Sequence, residues 1–424
     1  MRDTQKLFHK DFSLVVIGQI ISLFGNAILR FALPLFVLRE SGSAALFGLV
    51  SASAFIPMVI MSPIGGIVAD RVNKQRIMVV LDAITTAIIA VFMLLMGTAP
   101  MIPLVVVILM LLYGIQGAYA PAVQASVPLL AEGDLLVPAN AVVNLVQSLA
   151  GLLGPVAGGI LFGRFGLWPI LAVSCGCFAF SAFIELFIKI PFKKRPRSKS
   201  VWALVKGDLK ESAGFITKEY PIMSRVIVIT FCLNLCISTM LLVGMPVIIT
   251  EYLGISSELY GISQGILAGG GLLGGILAGV LGKKLRLQRA YLLLLLGAAA
   301  ILPMGIALLM GAPPFAGYIV ITAMAAFIMA CGTMVNIQML AFVQAVTPGD
   351  LVGKVIALVM TVNLCAQPVG QALYGFLFEY LAGAPWVIVL GSALASFGIA
   401  AYSRIVFSKL PGTAVKAEGD AVPN

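Results

Sequence analysis

Residues 65–76 read GGIVADRVNKQR. Paired glycines and a single carboxylate, Asp70, end a long apolar run, and three basic residues follow within six positions. A second stretch at 274–286, GGILAGVLGKKLR, begins in nearly the same way but has Gly279 where the first has Asp70. The pair indicates that a unit of about half the chain is repeated, with packing glycines in both copies and the acid in only one.

The composition predicts a membrane protein. The 424 residues are 61% hydrophobic and 10% charged, with a mean hydropathy of +1.09, whereas soluble domains carry roughly 25% charged residues. Apolar runs recur at the length of about 20 residues that a helix needs to cross a bilayer. The alternating segments of about ten residues that a membrane barrel would show do not occur. The first run is also too long for a cleaved signal peptide.

We therefore predict an all-α polytopic membrane protein with twelve transmembrane helices in two six-helix halves. The predicted spans are 13–38, 45–69, 77–97, 102–127, 139–163, 168–190, 224–250, 259–281, 290–310, 315–343, 355–380 and 386–407.

The basic residues predict the orientation. All but three of the 27 lysines and arginines, namely Arg30, Arg39 and Arg164, fall in segments on one side of this topology. The positive-inside rule makes that side cytoplasmic, with both termini. We expect a bacterial cytoplasmic membrane, contact with anionic lipid headgroups, no nucleic-acid partner and a monomer.

The longest polar connection divides the chain. Residues 1–190 form the predicted N-terminal half, 191–223 a cytoplasmic linker, 224–407 the C-terminal half and 408–424 a cytoplasmic tail. Within the linker, Trp202 to Ile216 show the spacing of an amphipathic helix at the membrane surface.

The opening stretch carries a family resemblance. Two six-helix halves with a basic linker resemble the major facilitator superfamily, whose loop motif between helices 2 and 3 is G-x-x-x-D-R-x-x-K/R-x-R/K. The matching residues are Gly66, Asp70, Arg71, Lys74 and Arg76. The resemblance implies that Gly66 lets a helix of the other half approach, and that Asp70 meets the N-terminus of helix 11 and holds one conformation. Alternatively, the basic residues only determine topology.

Two further motifs of this superfamily are present in part. In helix 5, Gly154, Pro155, Gly158 and Gly159 resemble the core of the exporter motif G-x-x-x-G-P-x-x-G-G, with alanine at the first glycine; glycine packing is the alternative. In helix 4, the exporter pattern L-x-x-x-R-x-x-Q-G has Tyr113 at its arginine. Over residues 1–410 the chain is similar to the macrolide-efflux and siderophore-export branch.

Polar residues within the spans are candidates for the substrate cavity, since they are costly in lipid. On helix 1, Gln19, Asn26 and Arg30 share one face, and the family places helices 1, 4, 7 and 10 around the cavity. The predicted cavity residues are Gln19, Asn26, Arg30, Tyr113, Gln116, Asn234, Asn336 and Gln338. The alternative is that the amides only join helices.

Two carboxyl groups are candidates for proton coupling. Asp82 lies one to two turns inside helix 3, and Glu185 lies near the same end of helix 6. Either could bind a proton if it is buried, because burial disfavours the charged form. Asp82 could instead pair with Arg76 at the membrane surface.

No enzyme, cofactor or metal site is predicted. The G-x-S-x-G match at 261–265 is far from the single histidine, His9, and the chain has no phosphate-binding G-x-x-x-x-G-K-[ST]. The cysteines match no metal-binding pattern. We predict a secondary exporter of amphipathic, macrolide-like compounds working by alternating access and proton antiport. The alternatives are a siderophore exporter, a lipid flippase or an uncoupled facilitator of the same fold, or a membrane receptor or scaffold that transports nothing.

Overall fold

The structure of the protein, a computed structural model, describes residues 7–131, 135–191, 207, 210–281, 287–348 and 351–409. Within these ranges twelve helices are long and apolar enough to cross a membrane, and no strand occurs. The prediction of twelve helical spans is confirmed. Predicted and observed ends agree within about three residues, except that the sixth helix stops at Glu185 and not at 190.

The twelve helices follow one another with short connections, except between the sixth and the seventh. They are α1 (Lys10–Ser41), α2 (Ala44–Arg71), α3 (Lys74–Leu95), α4 (Met101–Leu130), α5 (Leu136–Phe165), α6 (Leu167–Glu185), α7 (Pro221–Tyr252), α8 (Ser257–Leu281), α9 (Ala290–Leu309), α10 (Pro314–Val346), α11 (Val352–Tyr380) and α12 (Pro385–Phe407).

The chain forms two compact units. The first comprises Met1–Lys199, Pro246–Gly265 and Gln371–Glu379, and the second comprises Ser200–Met245, Ile266–Gly370 and Tyr380–Asn424. The first unit thus contains α1 to α6 with adjoining ends of α7, α8 and α11. The predicted boundaries of halves, linker and tail remain a prediction.

Residues 202–206 and 208–209 of the predicted linker helix, and the tail from 410, lie outside the described residues. At the end of the linker, Phe215 and Ile216 are buried in the apolar core of the second unit.

Close helix contacts in the first unit depend on small residues. Helix α1 packs against α5 and α6, and α2 packs along α4. A Cβ atom placed on Gly65 would lie 2.5 Å from the Cα atom of Ala118, and one on Gly117 would lie 2.6 Å from the carbonyl oxygen of Met58. The α2–α4 crossing therefore has no room for side chains at these glycines.

The second unit contains an equivalent close helix contact at a glycine. Gly274 of α8 faces the backbone of Ala330 of α10 as closely as Gly65 faces Ala118. The next glycine in each copy, Gly66 or Gly275, has no described neighbour within 4 Å of the place that a Cβ atom would occupy. The first glycine of each pair is thus the one that packs.

Adjacent glycines allow a matched stability test. We expect Gly65→Ala to destabilise the protein by about 1–3 kcal/mol, because the added methyl group overlaps the α4 backbone. Gly66→Ala should be neutral or slightly stabilising, because alanine favours helix and meets no neighbour. Thermal unfolding of both variants in one detergent measures the difference, and equal midpoints would contradict the packing account.

A histidine ties the beginning of α1 to the end of α4. The His9 ring accepts from the backbone N–H of Phe12 through Nδ1 at 3.5 Å, and its Nε2 lies 2.8 Å from the carbonyl oxygen of Leu130. The single histidine therefore has a structural role, as N-cap of α1.

Candidate functional site

Two carboxyl groups are buried in the first unit. Asp82 of α3 is 2% exposed and Glu185, the last residue of α6, is 0% exposed. The Tyr119 hydroxyl of α4 donates a hydrogen bond of 2.7 Å to Glu185 Oε1, and its oxygen accepts one of 2.7 Å from Gln19 Nε2 of α1. With Ser181 of α6, these four residues form what we call the carboxyl cluster, in which four helices meet.

Ser181 lies near both carboxyl groups. It lies close to both Asp82 and Glu185, and its hydroxyl donates a hydrogen bond of 3.1 Å to the carbonyl oxygen of Gly18. A serine has one hydroxyl proton to donate, so its oxygen is left to accept a proton from a carboxylic acid. Gly18 makes room for the cluster, since a Cβ atom there would lie 3.3 Å from Glu185 Cγ.

The carboxyl cluster has no cation among the described residues. Neither Asp82 nor Glu185 forms an ion pair there, and Asp82 Oδ2 and Glu185 Oε2 have no hydrogen-bond partner. The alternative pairing of Asp82 with Arg76 is not observed, because Asp82 is buried and Arg76 is exposed. A buried, unpaired carboxylate costs several kcal/mol, so two charges side by side are strongly disfavoured. The cluster is therefore suited to hold a proton.

Arg30 lies against an aromatic ring. Its guanidinium carbon is 4.0 Å from the centre of the Tyr113 ring, and that ring meets Phe55 edge-on at 5.3 Å between centres. Arg30 forms no ion pair with any described acid. A cation–π contact of a half-buried arginine contributes about 0.5–2 kcal/mol and leaves the five N–H donors of the guanidinium free. The arrangement can accept an anionic or carbonyl-rich group.

Helix α1 supplies the guanidinium that α4 lacks. Tyr113 has the place of the arginine in the helix 4 pattern, and Arg30 brings its charge to that same ring. One turn away, Asn26 Nδ2 donates to Gln116 Oε1 at 2.5 Å, and Asn26 Oδ1 has no described partner. The predicted residues Asn26, Arg30, Tyr113 and Gln116 thus form one group, whose role in binding remains a prediction.

A cavity of about 490 Å³ lies within the second unit, between α7, α9, α10 and α11. Its walls are mostly leucine, isoleucine, valine and methionine, and none of the lining residues is charged. The polar lining residues are Thr230, Asn234, Ser238, Thr333, Asn336, Asn363 and Gln367. A mainly apolar cavity of this size with a few convergent amides is typical of small-molecule sites.

Local helix geometry shapes one wall of this cavity. Residues Asn234–Ser238 of α7 form a π-helical turn, a distortion that is frequent at functional sites. On α11, the buried Oδ1 atom of Asn363 has no hydrogen-bond partner among the described residues. An unsatisfied buried acceptor costs about 1–3 kcal/mol, so a ligand N–H or O–H donor would be favoured there.

Two predicted cavity residues lie elsewhere. Gln19 is 2% exposed and belongs to the carboxyl cluster, so the structure gives no support for a substrate contact. Gln338 does not line the 490 Å³ cavity, although its amide is buried and has no described partner. Asn336, two residues earlier on α10, does line the cavity. Residues two positions apart lie on different faces of a helix, which explains the difference.

The exporter motif of α5 forms close contacts inside the first unit. Gly154 packs on Ala27 of α1, and a Cβ atom on Gly158 would lie 3.1 Å from the ring of Phe31. A Cβ atom on Gly159 would lie 2.8 Å from the Cα atom of Gly261, at the beginning of α8. Pro155 lies in the same stretch of α5. These contacts fit both a gating role and simple packing, so the gating role remains a prediction.

The loop motif is described only in part. The Asp70 backbone ends α2 in helical conformation, but its side chain lies outside what the structure describes. Arg71 and Arg76 are exposed and Lys74 is half-buried, and none forms an ion pair among the described residues. Their predicted gating role is untested.

Some members of the site were missing from the sequence prediction. Tyr119 and Ser181 read as ordinary helix residues, yet Tyr119 is hydrogen-bonded to Glu185 and Ser181 lies close to both acids. The signal was spacing: Ser181 precedes Glu185 by one helical turn and shares its face. On α11, Asn363 and Gln367 have the same spacing, but only the fold shows which cavity they face.

A buried acid cluster and an uncharged cavity in a twelve-helix protein are features of a membrane transporter. The family model of the Major Facilitator Superfamily matches residues 15–370. The chain belongs to this superfamily, as its loop motif indicated.

Several curated relatives are efflux proteins. The chain is 23% identical over 397 residues to macrolide efflux protein A of Streptococcus pyogenes, covering 92% of this chain and 94% of that protein. It is 24% identical over 377 residues to the multidrug efflux pump Tap of Mycolicibacterium fortuitum, covering 85% and 88%. A lysophospholipid transporter, LplT of Salmonella heidelberg, is 29% identical over 210 residues, or 48% of each chain.

Solved structures share the fold. A mutant of the nucleoside transporter NupG matches with a TM-score of 0.76 at 14% identity, covering 94% of this chain and 100% of that one. A bacterial homologue of the iron transporter ferroportin matches with a TM-score of 0.67 at 15% identity, covering 92% and 98%. These structures show the fold, and membership of the superfamily makes the chain a multi-pass membrane transporter and not an enzyme.

Proposed function

We propose that the protein is a secondary exporter of amphipathic, macrolide-like small molecules that works by alternating access and proton antiport. The observation that carries this proposal is the carboxyl cluster. Asp82 and Glu185 are both buried, share Ser181 as a neighbour and have no cation among the described residues. Such a site is stable when one of its carboxyl groups is protonated. Loss of that proton raises the free energy of the site, because a buried charge is left without a partner. This property suits a step that exchanges a proton for substrate.

Tyr119 links Glu185 to helix α1. Its hydroxyl proton points to Glu185 Oε1, while Gln19 on α1 donates to its oxygen. A change in the charge of Glu185 therefore acts directly on a hydrogen bond that reaches α1. The same helix carries Asn26 and Arg30, which we propose as substrate contacts together with Tyr113 and Gln116. Protonation and substrate binding would thus be coupled through α1.

The uncharged cavity of the second unit supports a substrate with apolar bulk and few hydrogen-bonding groups. Asn234 and Asn336 are the predicted cavity residues that line it. In the first unit, Arg30 on the Tyr113 ring offers a cation for a carbonyl or carboxylate group. In this proposal Asp70, with Gly66, Arg71, Lys74 and Arg76, holds one state of the cycle. The protein works as a monomer in the bacterial inner membrane, with both termini cytoplasmic.

Proteoliposomes test the proposal. Vesicles that contain the purified protein and are loaded with radiolabelled erythromycin should export it when a pH gradient is imposed. A proton ionophore should reduce this flux to that of protein-free vesicles. Flux that persists after the gradient is collapsed would identify an uncoupled facilitator. Absence of any flux, with a panel of macrolides and a siderophore, would overturn the assignment as an exporter.

A second candidate function is the transport of a lipid-like amphiphile. The observation that favours it is the 29% identity, over about half of each chain, to the lysophospholipid transporter. The same vesicles loaded with a fluorescent lysophospholipid distinguish this candidate, because the label would move between leaflets and not into the external solution.

A further inference from the structure

A second concavity in the second unit is almost wholly apolar. It is a groove between α8, α9 and α10, bounded by residues such as Gly269, Leu273, Ile276, Leu296 and Phe327. Leu273 is 59% exposed and Ile276 is 63% exposed. In a membrane-spanning region, exposed side chains of this kind face hydrocarbon. Glycine keeps the groove open, since no described atom lies within 4 Å of a Cβ position on Gly269.

The groove adjoins the uncharged 490 Å³ cavity. Leu293 of α9 and Cys331 of α10 line both, so these two side chains form the wall between them. Cys331 is small and Leu293 is only half-buried, so the wall is one side chain thick. On the groove side the surface is apolar, and on the cavity side lie amides such as Asn363.

The two surfaces together match one kind of ligand. We infer that the groove binds the hydrocarbon chain of a single-chain amphiphile that enters from the bilayer, and that the wall at Leu293 and Cys331 admits its uncharged polar end to the amide-lined cavity. The apolar groove favours an alkyl chain through burial of its methylene groups. A charged end is disfavoured, because the cavity offers no counter-ion. This inference goes beyond the proposed function, because a single-chain amphiphile with an uncharged end is a different ligand from a macrolide.

Photolabelling with monoolein analogues tests the inference. One analogue carries a diazirine at the end of the acyl chain, and the other carries it on the glycerol. We expect the chain-end probe to label α8 and α10 beside the groove, and the glycerol probe to label cavity residues such as Asn363. Unlabelled monoolein should compete with both. Labelling that excess monoolein does not reduce would reflect bulk lipid and would overturn the inference.

Filling the groove should remove the labelling. Gly269→Leu is expected to lower competed labelling by about tenfold or more, the factor expected when two methylene groups lose their contacts. Gly398→Leu on α12 is the matched control, because Gly398 is exposed and, like Gly269, has no described neighbour within 4 Å of its Cβ position. Leu273→Trp obstructs the same groove if Gly269→Leu does not fold. Undiminished labelling in a folded groove variant would contradict the proposed site.

A further variant tests where the polar end of the amphiphile binds. Cys331→Phe thickens the wall, so it should abolish labelling of the cavity by the glycerol probe and leave the chain-end labelling of the groove. A monoacyl lipid with a phosphate head should compete poorly, and equal competition would contradict an uncharged polar end. Labelling requires no transport. A protein that is labelled as expected but exports no macrolide would therefore overturn the proposed function and not the groove.

Discussion

Glu185→Gln is expected to reduce pH-driven efflux to background while sparing exchange of substrate across vesicles without a gradient. Glutamine keeps the shape of the protonated acid and still accepts from Tyr119, so the 2.7 Å hydrogen bond can persist. It cannot release a proton. A carrier fixed in the neutral state can still bind and exchange substrate, but it no longer couples that exchange to a proton gradient.

A comparison of Asp82→Asn with Glu185→Gln tests which carboxyl group carries the transported proton. Asp82→Asn removes the second carboxyl group and leaves Glu185 with its hydrogen bond, so an intermediate loss is expected if the two groups share the proton through Ser181. Tyr119→Phe keeps both acids but deletes the hydroxyl group that links Glu185 to Gln19 of α1, so it tests the proposed coupling separately from proton binding. Full gradient-driven efflux by both Glu185→Gln and Asp82→Asn would place proton transport outside this cluster.

Arg30→Ala is expected to weaken substrate binding by about 10- to 100-fold, the range for loss of a hydrogen bond to a charged group. Arg30 has no acid partner among the described residues, so its donors are available to a ligand. Arg30→Lys should restore part of the affinity, since lysine keeps the charge but loses the planar fork of donors. Equilibrium binding of a tritiated macrolide to the purified protein measures both effects.

Exchanging the side chains at positions 30 and 113 distinguishes the effect of losing the guanidinium group from a general loss of structure. Tyr113→Arg alone places two cations together and should impair binding. The double variant Arg30→Tyr with Tyr113→Arg returns the cation–π pair with its members exchanged, and it should recover much of the affinity. Tyr113→Phe keeps the ring that faces Arg30 and serves as the control. If Arg30→Ala binds like wild type, the residue only stabilises the helix pair.

The sequence by itself determined the class of fold and the family. Twelve apolar runs, the basic bias of one side and the loop motif from Gly66 to Arg76 each depend on residues close together in the chain. Lipid makes such patterns decisive, because every backbone polar group must be satisfied within its own helix. The repeat of Gly65 and Gly66 at Gly274 and Gly275 was also visible in the sequence, and the structure shows that the first glycine of each pair packs.

Tertiary structure alone decided how the polar residues combine. Gln19 and Arg30 share one face of α1, yet the first joins the carboxyl cluster and the second lies on Tyr113. Periodicity gives the face of a helix, but the partner depends on which helix crosses at that height. Tyr119 and Glu185 are 66 residues apart in the chain, and only the meeting of α4 and α6 brings their oxygens to 2.7 Å. The energy of a buried polar group depends on such contacts, which no local pattern contains.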